Sequence, residues 1–258
     1  MAYKDIMVYL DPASGSRDRL SVAVSVAFAH GARLIGVDAS TDEAILGASG
    51  ERALRLGRDF EDALKTAGLS GYFIARDPQS SPGAELMHCV DLIIAPRPQG
   101  DDRALIRSEV PDDIIRASGA PILVLPQDWK PTAVGETIVI AWNASREATR
   151  AVHDAMPMLA KAKKVTIFTF SERPSELRAA AARLAEHLER HGVAARISDW
   201  TNTGDMSAVD ALFASLDTQD ADLIVAGAFG HASFFESLFG GVSRELMRQP
   251  TAPVLMSH

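Results

Sequence analysis

Short apolar runs recur along the chain and alternate with longer amphipathic stretches. Ile6-Met7-Val8-Tyr9-Leu10, Leu223-Ile224-Val225-Ala226 and Val254-Leu255-Met256 are continuously apolar rather than alternating, as strands buried on both faces are. In the first half the pattern predicts strands at Asp5–Asp11, Arg33–Asp38, Gly71–Ala75, Asp91–Ala95 and Pro121–Leu125. In the second half it predicts them at Thr137–Asn143, Val165–Phe170, Ala194–Trp200, Asp222–Ala226 and Pro253–Ser257. Helical periodicity between them predicts elements such as Arg17–His30 and Glu176–His191, each stopped by a glycine, Gly31 and Gly192. Ser16 and Ser145 are the candidate N-caps of the helices that follow the first strand of each half. Strands separated in this way by helices argue for an α/β fold, a parallel sheet sandwiched by helices.

The two sets of strands are one pattern written twice. The segment DLIIAPRPQGDDRALIRSEVPDDIIRASGAPILVLP, from Asp91, lies over DLIVAGAFGHASFFESLFGGVSRELMRQPTAPVLMS, from Asp222, with a single-residue gap. Ile6-Met7-Val8-Tyr9-Leu10-Asp11 likewise pairs with Ile138-Val139-Ile140-Ala141-Trp142-Asn143. Self-similarity over such a span marks two copies of one domain. The expected boundaries are 1–127 and 135–258, joined by a polar linker that holds Pro126 and Pro131.

Composition narrows the function classes. At 258 residues the chain accommodates two domains of ordinary size, and 47% hydrophobic content gives each a core. Against 26 Lys and Arg stand 34 Asp and Glu, a formal charge of −8, and no basic stripe is interleaved with aromatics. Nucleic acid and membrane are therefore not expected as partners. Cys89 is the only cysteine, which excludes an intrachain disulfide and a cysteine zinc cluster; it is expected as a buried thiol. The opening MAYKDIMVYLDP lacks the features of a signal peptide, and no apolar segment approaches membrane-span length, so a cytoplasmic location is expected.

The chemistry concentrates after the fourth strand of the second half. Gly227, Gly230 and Gly240 follow it at the spacing G-x2-G-x9-G, and Gly241-Val242-Ser243-Arg244 opens a helical pattern. Glycine lets backbone N–H groups approach an anion without an intervening Cβ, and a helix start adds unpaired amides and a positive dipole end. Strand, glycine loop and helix start, in that order, are the parts of a phosphate cradle.

That segment resembles the nucleotide-binding signature of the universal stress protein family: G-x2-G-x9-G, a Ser or Thr, Val-[Ser/Thr], a helix and a final Pro-Val-Leu strand. The chain supplies Gly227, Gly230, Gly240, Val242, Ser243 and Pro253-Val254-Leu255, with Gly241 where Ser or Thr is usual. The resemblance implies two tandem five-stranded parallel sheets of order 3-2-1-4-5, with a switch point between strands 1 and 4. It implies a non-enzymatic module that binds ATP, with or without magnesium, or AMP, through Ala141, Asn143, Ala226, Gly227, Gly230, Gly240, Gly241, Val242 and Ser243. It further implies that the last strands, Ile122–Leu125 and Val254–Met256, pair inside one chain as a pseudo-dimer; a homodimer through the same edges is the alternative.

The first half keeps Asp11, the family's adenine-end aspartate, but has Pro96, Gln99 or Gly100, Ser108 and Glu109 where the second half has Gly227, Gly230, Gly240 and Gly241. Proline offers no N–H, and Glu109, Asp101 and Asp102 repel a triphosphate, so one nucleotide site is expected, in the second half. There Asn143 stands where Asp is frequent; it retains donor and acceptor but not charge. Arg244 and His231 are either phosphate contacts or a solvated helix arginine and an exposed loop histidine. Two alternatives stay open: a structural or partner-binding protein without useful nucleotide affinity, and an ATP-hydrolysing enzyme on a related fold. Neither catalytic residues nor a metal site is expected. His187 and His191 stand four apart on one helix, but the string His-Leu-Glu-Arg-His lacks the HExxH glutamate and has no third ligand nearby in sequence.

Overall fold

The structure is a computed structural model that describes residues 2–11, 15–40, 49–75, 85–97, 118–127, 129–130, 134–171, 174–201, 206–228, 245–247 and 250–258. The chain divides into two compact units, Met1–Ala133 and Val134–His258.

The first unit contains β1 (Asp5–Leu10), α1 (Ser16–His30), β2 (Arg33–Asp38), α2 (Ser49–Ala67), β3 (Gly71–Ile74), β4 (Leu92–Pro96) and β5 (Ile122–Leu125), with a 3-10 turn at Leu86–Cys89. Its strands run parallel in the order β3-β2-β1-β4-β5. Met7 of β1 stands between Ile35 of β2 and Ile93 of β4, so the first strand of the sequence is the central strand of the sheet. Ile6, Met7, Val8, Ile93 and Ile94 have no exposed surface, which is why these runs are apolar without alternation.

The second unit repeats the plan with β6 (Thr137–Ala141), α3 (Arg146–Leu159), β7 (Lys164–Ser171), α4 (Pro174–Arg190), β8 (Ala195–Thr201), α5 (Ala208–Asp217), β9 (Leu223–Gly227) and β10 (Val254–Ser257). The order is β8-β7-β6-β9-β10, again all parallel, with β6 central between β7 and β9. Both units therefore have the order 3-2-1-4-5. In each, the chain first builds outward from strand 1 and then returns to its other side, which opens a crevice at the carboxyl ends of strands 1 and 4.

Local chemistry fixes where the helices stop. Gly31 ends α1 in the left-handed region at φ 61°, with the Gly31 and Ala32 N–H groups donating to the carbonyls of Phe28 and Ala27. Gly192 follows α4 at φ 79°, and Val193 N–H closes back on the Leu188 carbonyl. Both glycines act as the C′ residues expected from the sequence. Ser145 caps α3, its Oγ accepting the Ala148 N–H at 3.1 Å. Ser16 does not cap α1. It is the first helical residue, after Gly15, and its Oγ accepts the Asp11 N–H at 3.1 Å. Cys89 is exposed rather than buried, because the short turn that carries it buries none of its residues.

Candidate functional site

In the second unit Ala141 at the end of β6 stands opposite Ala226 at the end of β9. Beyond Ala141 the chain turns sharply into α3. The Asn143 Oδ1 accepts the Ser145 N–H at 3.1 Å, and Ala144 is held at φ 59°, a left-handed conformation that a non-glycine residue adopts only at some cost. Asn143 thus spends its carbonyl oxygen on the turn, while its amide nitrogen remains a donor. The turn sets the first residues of α3 beside the end of β9.

Gly227 is where the two meet. A Cβ on Gly227 would lie 2.5 Å from the Ala148 nitrogen, 2.6 Å from the Glu147 carbonyl carbon and 2.8 Å from the Glu147 Cβ. Only glycine fits this contact, whatever ligand the crevice holds. Next to Asn143, Trp142 is buried, and among the described residues its indole Nε1 has no hydrogen-bond partner. Four of the residues expected from the sequence, Ala141, Asn143, Ala226 and Gly227, are therefore brought together at neighbouring strand ends. Gly230, His231, Gly240, Gly241, Val242, Ser243 and Arg244 lie outside the described residues.

The matching crevice of the first unit is filled by its own side chains. Arg19, 5% exposed, donates through Nε to the Tyr9 carbonyl at 2.6 Å and through a terminal nitrogen to the Asp11 carboxylate at 2.5 Å. Burial lowers the Arg19 pKa from its ordinary value, against the raising effect of the Asp11 charge and hydrogen bond. Beside this pair Arg97 donates to Gln127 Oε1 at 2.7 Å, and the Gln127 carbonyl closes to within 2.9 Å of where a Cβ on Gly15 would stand. A small cavity remains between Gly15, Arg19, Pro96 and Trp129. The Asp11 carboxylate is thus committed to a guanidinium.

Among the described residues no helix is long and apolar enough to cross a membrane. Residues 136–258 match the model of the universal stress protein family. The second unit is therefore similar to that family, over 123 of the 258 residues. The whole chain is similar in fold to a universal stress protein of Archaeoglobus fulgidus DSM 4304, at a TM-score of 0.73 and 16% identity, covering 98% of this chain and 97% of that one. A putative universal stress protein of Pseudomonas aeruginosa UCBPP-PA14 matches at a TM-score of 0.61 and 18% identity, over 99% and 93% of the two chains. No curated protein matches the sequence. Since both solved structures run the length of this chain, the universal stress protein fold extends to the tandem arrangement and not to the second unit alone.

Proposed function

We propose that the second unit is a non-enzymatic adenine-nucleotide module that takes ATP or AMP, one molecule per chain. The observation that carries this reading is the pairing of Ala141 with Ala226 at the switch point of the sheet, where β9 runs through Gly227 into the glycine-rich segment. The adenine end would lie against Ala141 and the Asn143 amide, and the phosphates against the backbone of Gly230, Gly240, Gly241 and Val242 and the Ser243 hydroxyl. With ATP, magnesium would accompany the phosphates as part of the ligand. The first unit, with Asp11 held by Arg19, serves as a structural partner.

A second reading, a partner-binding protein without useful nucleotide affinity, is favoured by two observations. Gly227 is already accounted for by its contact with Glu147 and Ala148, and the Asn143 Oδ1 is engaged in its own turn. Calorimetric titration with ATP and with AMP, each with and without magnesium, separates the readings. One-site binding that Gly230→Val abolishes and Pro96→Ala leaves unchanged supports the nucleotide module. An absence of binding to the wild-type chain selects the second reading. Turnover of ATP well above that of Gly230→Val would instead make the protein an enzyme.

A further inference from the structure

Three imidazoles, two of them four residues apart and the third 34 residues away from the nearer, meet on the surface of the second unit. His153 on α3 and His187 on α4 have ring centres 5.5 Å apart, and His187 and His191, just past the end of α4, have theirs 4.8 Å apart. His187 is the shared member. Its Nε2 is buried and has no hydrogen-bond partner among the described residues. A buried polar nitrogen left without a partner is uncommon and calls for an explanation, of which a missing ion is one. His153 and His191 are exposed and flank it from two elements.

We propose that His187 and His191, with His153 as the third ligand, form a surface site for a divalent transition-metal ion of the imidazole-seeking class, such as zinc, copper or nickel. Histidines four apart on a helix present their rings to one side and can share an ion. Two imidazoles on one tetrahedral ion, at metal–nitrogen distances of about 2.0–2.1 Å, place their ring centres about 5 Å apart. Both observed separations fall at that spacing. As the side chains stand, no group of three His, Cys, Asp or Glu among the described residues is arranged to hold a metal ion. The site therefore requires His153 and His191, both exposed, to change rotamer when an ion binds.

Arg190 opposes a dication, but it is exposed and can swing into solvent. The site lies on α3 and α4 and uses no residue of the glycine segment, so it stands apart from the nucleotide reading.

Calorimetric titration of the full chain with zinc chloride, without nucleotide, tests this. The expected result is one ion per chain, a dissociation constant at least tenfold weaker in His187→Gln and in His191→Gln, and a smaller loss in His153→Gln. Gly230→Val should bind zinc as the wild type does. An imidazole nitrogen NMR spectrum provides a second readout: the His187 resonances should shift on zinc addition in the wild type and in Gly230→Val. A wild-type chain that takes no zinc, or binding that His187→Gln leaves intact while the variant melts normally, overturns the proposal.

Discussion

The Asp222 N–H donates to the Thr137 carbonyl at 3.0 Å, and the Asp222 Oδ1 accepts the Thr137 N–H at 3.0 Å. The same carboxylate also takes the N–H groups of Gly135 and Glu136, both at 3.0 Å. One side chain at the head of β9 therefore pins the backbone that enters β6. The first unit does the same with Asp91, whose N–H goes to the Asp5 carbonyl at 2.8 Å and whose Oδ2 accepts the N–H groups of Lys4 and Asp5 at 2.6 and 3.0 Å. Each clasp joins the two strands that border the crevice.

Asp222→Ala should lower stability by about 1–3 kcal/mol, because three backbone donors lose their acceptor in a half-buried place. Asp222→Asn should cost less, since its Oδ1 can still take the Gly135 and Thr137 bonds. Urea denaturation of both variants measures the two costs. Equal losses would mean that the bonds to Oδ1 contribute little.

The same residue gives a pH dependence. Burial raises the Asp222 pKa above 3.8, outweighing the backbone hydrogen bonds from Thr137, Glu136 and Gly135 that lower it. A folded-state pKa above the unfolded one means that the native chain holds the proton longer. This group's contribution is then full below the unfolded value and declines as pH rises through the folded one. The stability difference between wild type and Asp222→Asn should therefore shift against the wild type as pH rises from about 4, the ordinary carboxylate value. A difference that stays constant across that window in urea titrations would refute the direction of the shift.

Gly227→Ala should destabilise the second unit by about 1–3 kcal/mol, since its methyl group enters space held by the Glu147 and Ala148 backbone. Thermal melting without ligand is the measurement. An unchanged melting temperature would show that α3 can move away freely.

Asp11→Ala strands the Arg19 guanidinium in a nearly closed site and should cost about 2–3 kcal/mol, somewhat less than for a fully buried pair because Asp11 is partly exposed. Adding Arg19→Met should recover most of that loss. A double variant no more stable than Asp11→Ala would show that Arg19 does not depend on Asp11.

Ser145→Ala should cost about 1 kcal/mol through loss of the α3 cap. Ser16→Ala, which removes only the acceptor of the Asp11 N–H, should leave the start of α1 intact. Amide hydrogen exchange in the first turns of the two helices distinguishes these outcomes.

The strands were legible because Ile6–Leu10, Leu92–Ala95 and Leu223–Ala226 are apolar on both faces, and such runs have few alternatives in a chain with helical stretches between them. Gly31 and Gly192 were legible because a helix stop is a local event. Ser16 was misread because a serine before a helical run looks alike whether it caps the helix or turns toward Asp11. The site was harder for a different reason. The contact of Gly227 with Ala148 and the meeting of His153 with His187 join elements distant in sequence, and no local pattern records them. Asn143 could be placed at the end of its strand, but its use in holding the Ser145 turn is a property of the folded backbone.

Duplication leaves two copies that begin alike and then drift. In this chain the clasping aspartate is present in both halves, at Asp91 and Asp222, while the glycines at 227, 230 and 240 are present in one. The two kinds of position do different work. The aspartate ties strand 4 to strand 1 in both halves, through the Asp91 and Asp222 bonds to Asp5 and Thr137. Gly227 has a packing reason in the second half, since its place against Glu147 and Ala148 admits no Cβ, whereas Pro96 stands at the matching strand end of the first, beside Arg19 and its partner Asp11. Within a single polypeptide the halves thus share what fastens strand to strand and differ in what lines the crevice.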